Sequence, residues 1–240
     1  MKPFIIDETE NFAVLFKPPR MHSAASKQKS YNITDWFAEY YPPSAGQGWL
    51  LHRLDFETRG LLLAAKNQKS YDYLHSLQVS GDFVKVYGAI CVRAKKTAPG
   101  FPPPPDLTGF LPAENSQAGP FVIESFFRSY GNGRKQVRPA VDDKSSVVAK
   151  DQGDNMYRTE VLSVKDNFFT VRLIRGFRHQ IRCHLAWIGF QIKNDPLYNL
   201  SQPFPREADY LALCAQAFSF SDPETGVKRE YRIDFFGQRL

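Results

Sequence analysis

Short apolar runs and alternating stretches organise the first half of the chain. Phe12-Ala13-Val14-Leu15-Phe16 predicts a short buried strand that stops at Lys17-Pro18-Pro19, where proline removes the backbone donors a sheet needs. Ile33, Trp36, Phe37 and Tyr40 fall at helical spacing behind Asn32, a good N-cap residue. Leu61-Leu62-Leu63-Ala64-Ala65 predicts a second buried strand. A helix is expected from about Ser70, with Tyr71, Leu74 and Leu77 three apart, ending at Gly81. From Phe83 to Val92 the period becomes two. Phe83, Lys85, Tyr87, Ala89 and Cys91 share one face, and Val84, Val86, Ile90 and Val92 share the other, which is the pattern of a strand.

The second half is more broken. Pro99-Gly100-Phe101 and the four prolines 102–105 cannot join a sheet and predict a stiff surface loop, an insertion around residues 97–120. Phe168 to Leu173 predicts a strand, followed by Gly176 and a helical stretch through Ile188. Leu211–Phe220 and Lys228–Phe236 flank Asp222-Pro223-Glu224-Thr225-Gly226, a hairpin loop with proline and glycine in turn positions. Strands outnumber helices without alternating with them. The expected fold is therefore α+β, a largely antiparallel mixed sheet flanked by helices, with residues 1–240 as one domain.

Charge adds a partner class. Of 31 Lys and Arg against 25 Asp and Glu, the whole excess of six lies between Arg128 and Arg182, where twelve basic residues face six acidic ones. Such a concentration fits a polyanion partner, although a solvated basic face has the same composition. No apolar run is long enough to span a membrane, and no signal peptide is visible, so no membrane partner is expected. Three widely spaced cysteines, Cys91, Cys183 and Cys214, argue against a disulfide framework and for a cytoplasmic setting.

Leu51-His52-Arg53-Leu54-Asp55, followed by Thr58-Arg59-Gly60, forms a polar loop between apolar segments, where catalytic groups are often held. On physical grounds alone Arg53 and Asp55 are read first as a surface ion pair worth under about 1 kcal/mol. His179, Cys183 and His184 have partial metal-ligand spacing, but without a CxxC or a matching carboxylate, so no metal is expected.

The stretch from His52 to Asn67, His-Arg-Leu-Asp-Phe-Glu-Thr-Arg-Gly-Leu-Leu-Leu-Ala-Ala-Lys-Asn, resembles the catalytic motif of the RluA-type pseudouridine synthases. That motif runs His-Arg-Leu-Asp, two variable residues, Thr-Ser-Gly-Leu-Leu-Leu, then Ala-Lys-Asn, with Arg59 here at the usual Ser. Leu15 to Pro19, Lys85-Val86-Tyr87-Gly88-Ala89 and the segment Gly176 to Ala186 resemble further family segments in the same order. Gly189, Ile192, Asp195 and Tyr198 follow the family's spacing downstream. Phe177 and Arg178 stand at the family's Arg-Thr pair, and Cys214 replaces a usual His. The resemblance is to the short form, without the small N-terminal RNA-binding domain many relatives carry.

The resemblance implies an isomerase that converts uridine in ribosomal or transfer RNA to pseudouridine, without cofactor or metal; a monomer is expected. It makes Asp55 the catalytic carboxylate, acting through a covalent adduct or a glycal, with Arg182 as its partner cation. It makes Tyr87 the ring that stacks on the base and the candidate for the closing proton transfer. Arg53 becomes the wedge filling the space left by a flipped-out uridine. His52, Thr58, Arg59, Lys85, Arg178, His179 and Gln180 are expected at the RNA, together with Arg134 and Lys135. The latter two, with Arg128 and Arg138, flank a glycine-containing segment expected to be mobile and to contact phosphates. The residues by themselves leave Tyr87 and Phe83 open as core aromatics, Lys85 as solvent-reaching, and Asp195 with Tyr198 as a structural turn. An inactive RNA-binding descendant of a synthase is the alternative function.

Overall fold

The computed structural model describes residues 1–25, 30–41, 49–94, 98–111, 117–141, 156–200 and 210–235. The chain forms two compact units. One comprises Met1–Tyr87 with Leu213–Leu240, the other Gly88–Ala212. The α+β architecture expected from the sequence is what the chain adopts.

In the first unit, β1 (Phe4–Glu8), β2 (Phe12–Lys17) and β3 (Arg59–Ala65) pair antiparallel in that order. Every residue of β2 and β3 is buried, so their unbroken apolar runs are those of strands covered on both faces. β10 (Leu213–Ser221) joins β3 in parallel, and β11 (Lys228–Arg232) returns antiparallel to β10 through the expected hairpin. The Asp222 carboxylate accepts the backbone N–H groups of Glu224 and Thr225, fixing that turn. Phe236, expected in the last strand, lies outside the described residues.

Two helices sit in this unit as anticipated. α1 (Ile33–Ala38) is capped by Asn32, whose side chain accepts from the N–H of Thr34 and Asp35. α2 (Gln68–Ser80) begins two residues before Ser70 because Asn67, not a later residue, is the cap. It ends at Gly81 with φ of 93°, a left-handed conformation that suits glycine. The unit boundary falls inside β4 (Val84–Arg93), whose residues Lys85, Tyr87, Ala89 and Cys91 are buried together with Phe83 just before it, the face assigned from period two.

In the second unit, β5 (Phe121–Tyr130) pairs antiparallel with both β6 (Gln136–Ala140) and β7 (Tyr157–Lys165), and β7 pairs with β8 (Phe168–Leu173). β9 (Phe190–Ile192) pairs with the end of β4. α3 (Gln180–Trp187) is buried along its whole length. The segment around Gly131 is the tight turn of the β5–β6 hairpin, with Gly131 and Gly133 at positive φ. Asn132–Arg134 form a short 3-10 turn within it. The proline-rich segment is also anchored. Proline lacks a donor but keeps its carbonyl: Arg138 donates to Pro99 O at 2.9 Å, and the Trp187 indole donates to Pro102 O at 3.0 Å. Residues 97 and 112–116 of that expected insertion lie outside the described residues.

Candidate active site

The His52–Thr58 loop enters from Leu50, which bridges Ala64, and is held by a set of short contacts within the first unit. The Ser23 hydroxyl donates to Leu54 O at 2.8 Å and accepts from Leu54 N at 2.9 Å. Thr58 N donates to Asp55 O at 3.1 Å and Met21 N to Phe56 O at 3.3 Å. Lys17, fully buried at the end of β2, donates to the carbonyls of Pro18, Met21 and Phe56 at 2.9, 2.7 and 3.2 Å. One ammonium thus ties the turn after β2 to the loop carrying Asp55. Burial lowers the Lys17 pKa to about 7, opposed by the charges of Asp55 and Glu57. Lys17 was not singled out as a site residue in the sequence, although a lysine closing an apolar strand before Pro-Pro is an available signal.

Asp55 itself is half-buried on this frame, and Arg53 two residues earlier is exposed. Tyr87 is buried. Desolvation pushes its phenol well above the ordinary value, and the charge of Asp55 pushes it further. The phenol is therefore held protonated beside the carboxylate.

Several residues expected at the RNA face inward. His52 lies between Phe83 and Phe218, with ring centroids 5.3 and 6.2 Å away. Among the described residues neither of its nitrogens has a hydrogen-bond partner, and burial lowers its pKa to about 3, with the Lys85 charge adding to the effect. Thr58 is buried with its hydroxyl unpartnered. Lys85 is 4% exposed, 5.0 Å from the Phe83 ring centroid, with its pKa lowered to about 8 by burial. It does not reach solvent. Arg59 is directed to the C-terminal segment, donating to Phe235 O at 2.8 Å and lying over that ring. These side chains are buried within the first unit, Lys85 on the inward face of its alternating strand.

Gly60 makes the loop's exit possible. Its φ is +124°, and a Cβ there would stand 2.3 Å from Ala215 O. Only glycine lets β10 approach β3 so closely.

In the second unit, α3 carries polar side chains that are each satisfied. Arg182 donates from Nε and Nη2 to the two carboxylate oxygens of Asp195, both at 2.8 Å, with both side chains buried. Burial pushes Asp195 up, but the Arg182 charge, its hydrogen bond and the N–H groups of Leu197 and Tyr198 outweigh it, and the net pKa is lowered. The Asp195–Tyr198 turn thus does more than close a loop: it grips the expected catalytic arginine. Gln180 donates to Arg158 O and Thr159 Oγ1, and accepts from Phe177 N. His184 bonds Ser125 Oγ at 2.9 Å and Thr159 Oγ1 at 2.8 Å, Cys183 donates to Val137 O, and His179 Nδ1 lies 3.2 Å from Tyr198 Oη. The three possible metal ligands are engaged in packing, and no metal-binding cluster occurs among the described residues.

The basic excess is partly internal as well. Arg138 is buried, donating to Pro99 O and Val137 O and lying over the Tyr130 ring at 4.1 Å, so it is not a phosphate contact. Arg158 and Arg172 pair with Glu160. Arg128, Arg134, Lys135 and Arg178 remain exposed or half-exposed, and Arg178 donates to the carbonyls of Arg134 and Gln136.

A family model described as RNA pseudouridylate synthase matches residues 11–187. The chain belongs to this family. The resemblance read from its motifs is borne out. An uncharacterised RNA pseudouridine synthase of Helicobacter pylori is 26% identical over 98% of this chain and 67% of its own length. The ribosomal large subunit pseudouridine synthase C of Rickettsia prowazekii is 24% identical over 98% of the chain and 70% of its own length. The chain spans about half to three quarters of the length of the curated relatives it matches. Among solved structures, human RNA pseudouridylate synthase domain containing 4 has a TM-score of 0.63 at 20% identity, covering 96% of this chain and 87% of its own, a likeness of fold. No helix among the described residues is long and apolar enough to cross a membrane.

Proposed function

We infer that this chain isomerises uridine within RNA to pseudouridine. The observation that carries the reading is the Asp55 loop: a half-buried carboxylate on a turn fixed by Lys17 and Ser23, beside the protonated phenol of Tyr87, inside the region matched by the synthase family. Asp55 is the catalytic carboxylate. It acts on the target nucleoside as the glycosidic nitrogen–carbon bond breaks and a carbon–carbon bond forms.

Tyr87 provides the ring against which the uracil stacks. Its raised pKa favours that role over proton acceptance at rest, since the phenol must first lose its own proton. Arg182, the third member by the family's motif, has its guanidinium plane set by Asp195. Exposed Arg53, on the same loop as Asp55, fills the stack vacated by the flipped base, whose extrusion costs a few kcal/mol.

The substrate is ribosomal or transfer RNA. The ribosomal names of the Rickettsia relative and of the Pseudomonas aeruginosa synthase D favour the former. Three buried free cysteines suit a reducing, cytoplasmic setting.

The test is tritium release from ribosomal and transfer RNA transcripts labelled at uridine carbon 5, because isomerisation exchanges that hydrogen. Enzyme-dependent release supports the reading. Binding of both RNAs with no release from either would make the chain an inactive RNA-binding relative.

A further inference from the structure

Phe177 stands where the resembled motif has arginine, and its surroundings are aromatic. Within the second unit His184, Phe127 and Phe177 form a continuous stack. Phe127 lies 4.8 Å from His184 at 26° and 4.8 Å from Phe177 at 6°. His184 and Phe127 are buried, whereas Phe177 is half-buried, so the stack runs from the interior to the surface. Tyr157, also half-buried, flanks both phenylalanines at tilts of 44° and 49°, and among the described residues no ring lies parallel on the outer face of Phe177.

Among the described residues the surface around this ring is positive. Arg178 follows Phe177 and rests on the carbonyls of Arg134 and Gln136, which places the exposed Arg134–Lys135 turn beside it. Exposed Arg175 is close enough for its charge to oppose the rise that burial gives the Tyr157 phenol. The carboxylates of the adjoining strands, Glu124 and Glu160, alternate to the opposite face of the sheet from Tyr157 and Phe127, where they pair with Arg158 and Arg172. A half-buried aromatic ring, packed on one side against the core around Phe127 and bordered by cations, is complementary to a nucleobase with its phosphates.

We propose that the outer face of Phe177, flanked by Tyr157, is a stacking platform for an unpaired base of the RNA, with Arg134, Lys135, Arg175 and Arg178 holding the adjoining phosphates. This rests on the reading of the chain as an RNA-modifying protein. An arginine at that position would make a charge contact indifferent to the base. The phenylalanine adds a contact that exists only where a base is free to splay out, so it favours RNA that is single-stranded at this point.

The test compares full-length wild type, Phe177→Leu and Phe177→Trp on two fluorescent probes, octaadenylate and an octamer of the same backbone made of abasic ribose. Phe177→Leu is expected to weaken octaadenylate about fivefold or more, the low end for loss of a stacked base, while abasic binding stays unchanged. Phe177→Trp is expected to tighten octaadenylate binding beyond wild type while abasic binding stays unchanged. It also reads the platform if the leucine variant folds poorly, since a larger ring must then raise the preference for octaadenylate. Arg178→Gln should weaken both probes alike. Equal affinities in wild type and Phe177→Leu, an equal loss on both probes, or no gain in preference with Phe177→Trp would overturn the platform. Tritium release by wild type is scored separately, so failure of the isomerase reading is distinct from failure of this one.

Discussion

Replacing His52 by leucine should make the chain less sensitive to acid. The imidazole is wedged between Phe83 and Phe218 with both nitrogens unpartnered, and burial holds its pKa at about 3. His184 is held at about 3 by the same cause. In the unfolded chain both titrate near 6.5, so the unfolded state takes up protons that the folded state refuses. Stability is therefore lost as pH falls from about 6.5 toward 3. Each pH unit in that window costs about 1.4 kcal/mol per histidine, so moving to pH 5 costs about 2 kcal/mol for each and about 4 for the pair. That is a large share of the roughly 5–15 kcal/mol that holds a domain folded. Asp195 and Asp222, whose pKa values are lowered, lose their contribution only at more acid pH. Urea unfolding at pH 7 and pH 5 measures the effect. Wild type should lose about 4 kcal/mol between the two and His52→Leu about 2. At pH 7 the variant should be at least as stable, since leucine fills an apolar site that strands two polar atoms. Equal losses in both proteins would show that His52 is hydrated or partnered when folded, and would refute the reasoning.

Other substitutions test separate parts of the account. Gly60→Ala places a Cβ 2.3 Å from Ala215 O at a φ of +124°, so thermal unfolding should show a loss of about 3 kcal/mol or more. Asp195→Asn removes the carboxylate that accepts two guanidinium hydrogen bonds from buried Arg182 and should cost about 3 kcal/mol by urea unfolding. Replacing the pair together, Arg182→Met with Asp195→Leu, should recover most of that stability while remaining inactive. Arg53→Ala should slow conversion of a stem-embedded uridine more than that of an unpaired one. Equal loss on the two substrates in a single-turnover assay would mean that Arg53 is not a wedge.

The strands and helices of the first unit were legible because their residues obey one rule at a time. Phe12–Phe16 and Leu61–Ala65 are wholly apolar, Phe83–Val92 alternates, and α2 has a capping asparagine and a terminal glycine. β5, β6 and β7 were not legible, because their buried faces mix apolar with polar residues. Ser125, Arg138 and Thr159 point inward and take partners distant in sequence, among them His184, Pro99 and Gln180. For the same reason local charge overstated the surface: Arg138 and Arg182 count as cations in the sequence but lie in the interior. The motif register located Asp55 and Tyr87, yet it could not tell which neighbours face outward. His52, Thr58 and Lys85 read as contacts and lie buried in the structure, because burial follows from strand pairing and turn geometry that a motif does not encode.

The role of Asp55 is tested most directly by measuring isomerisation and RNA affinity together in Asp55→Asn. The substitution keeps the size of the side chain and the loop contacts made through the backbone by Leu54, Asp55 and Phe56. Binding rests on phosphate contacts spread over many cations. The account predicts no tritium release above the enzyme-free background, with affinity for the same transcript within a few-fold of wild type. Release at a rate near wild type would contradict the assignment of Asp55 as the catalytic carboxylate.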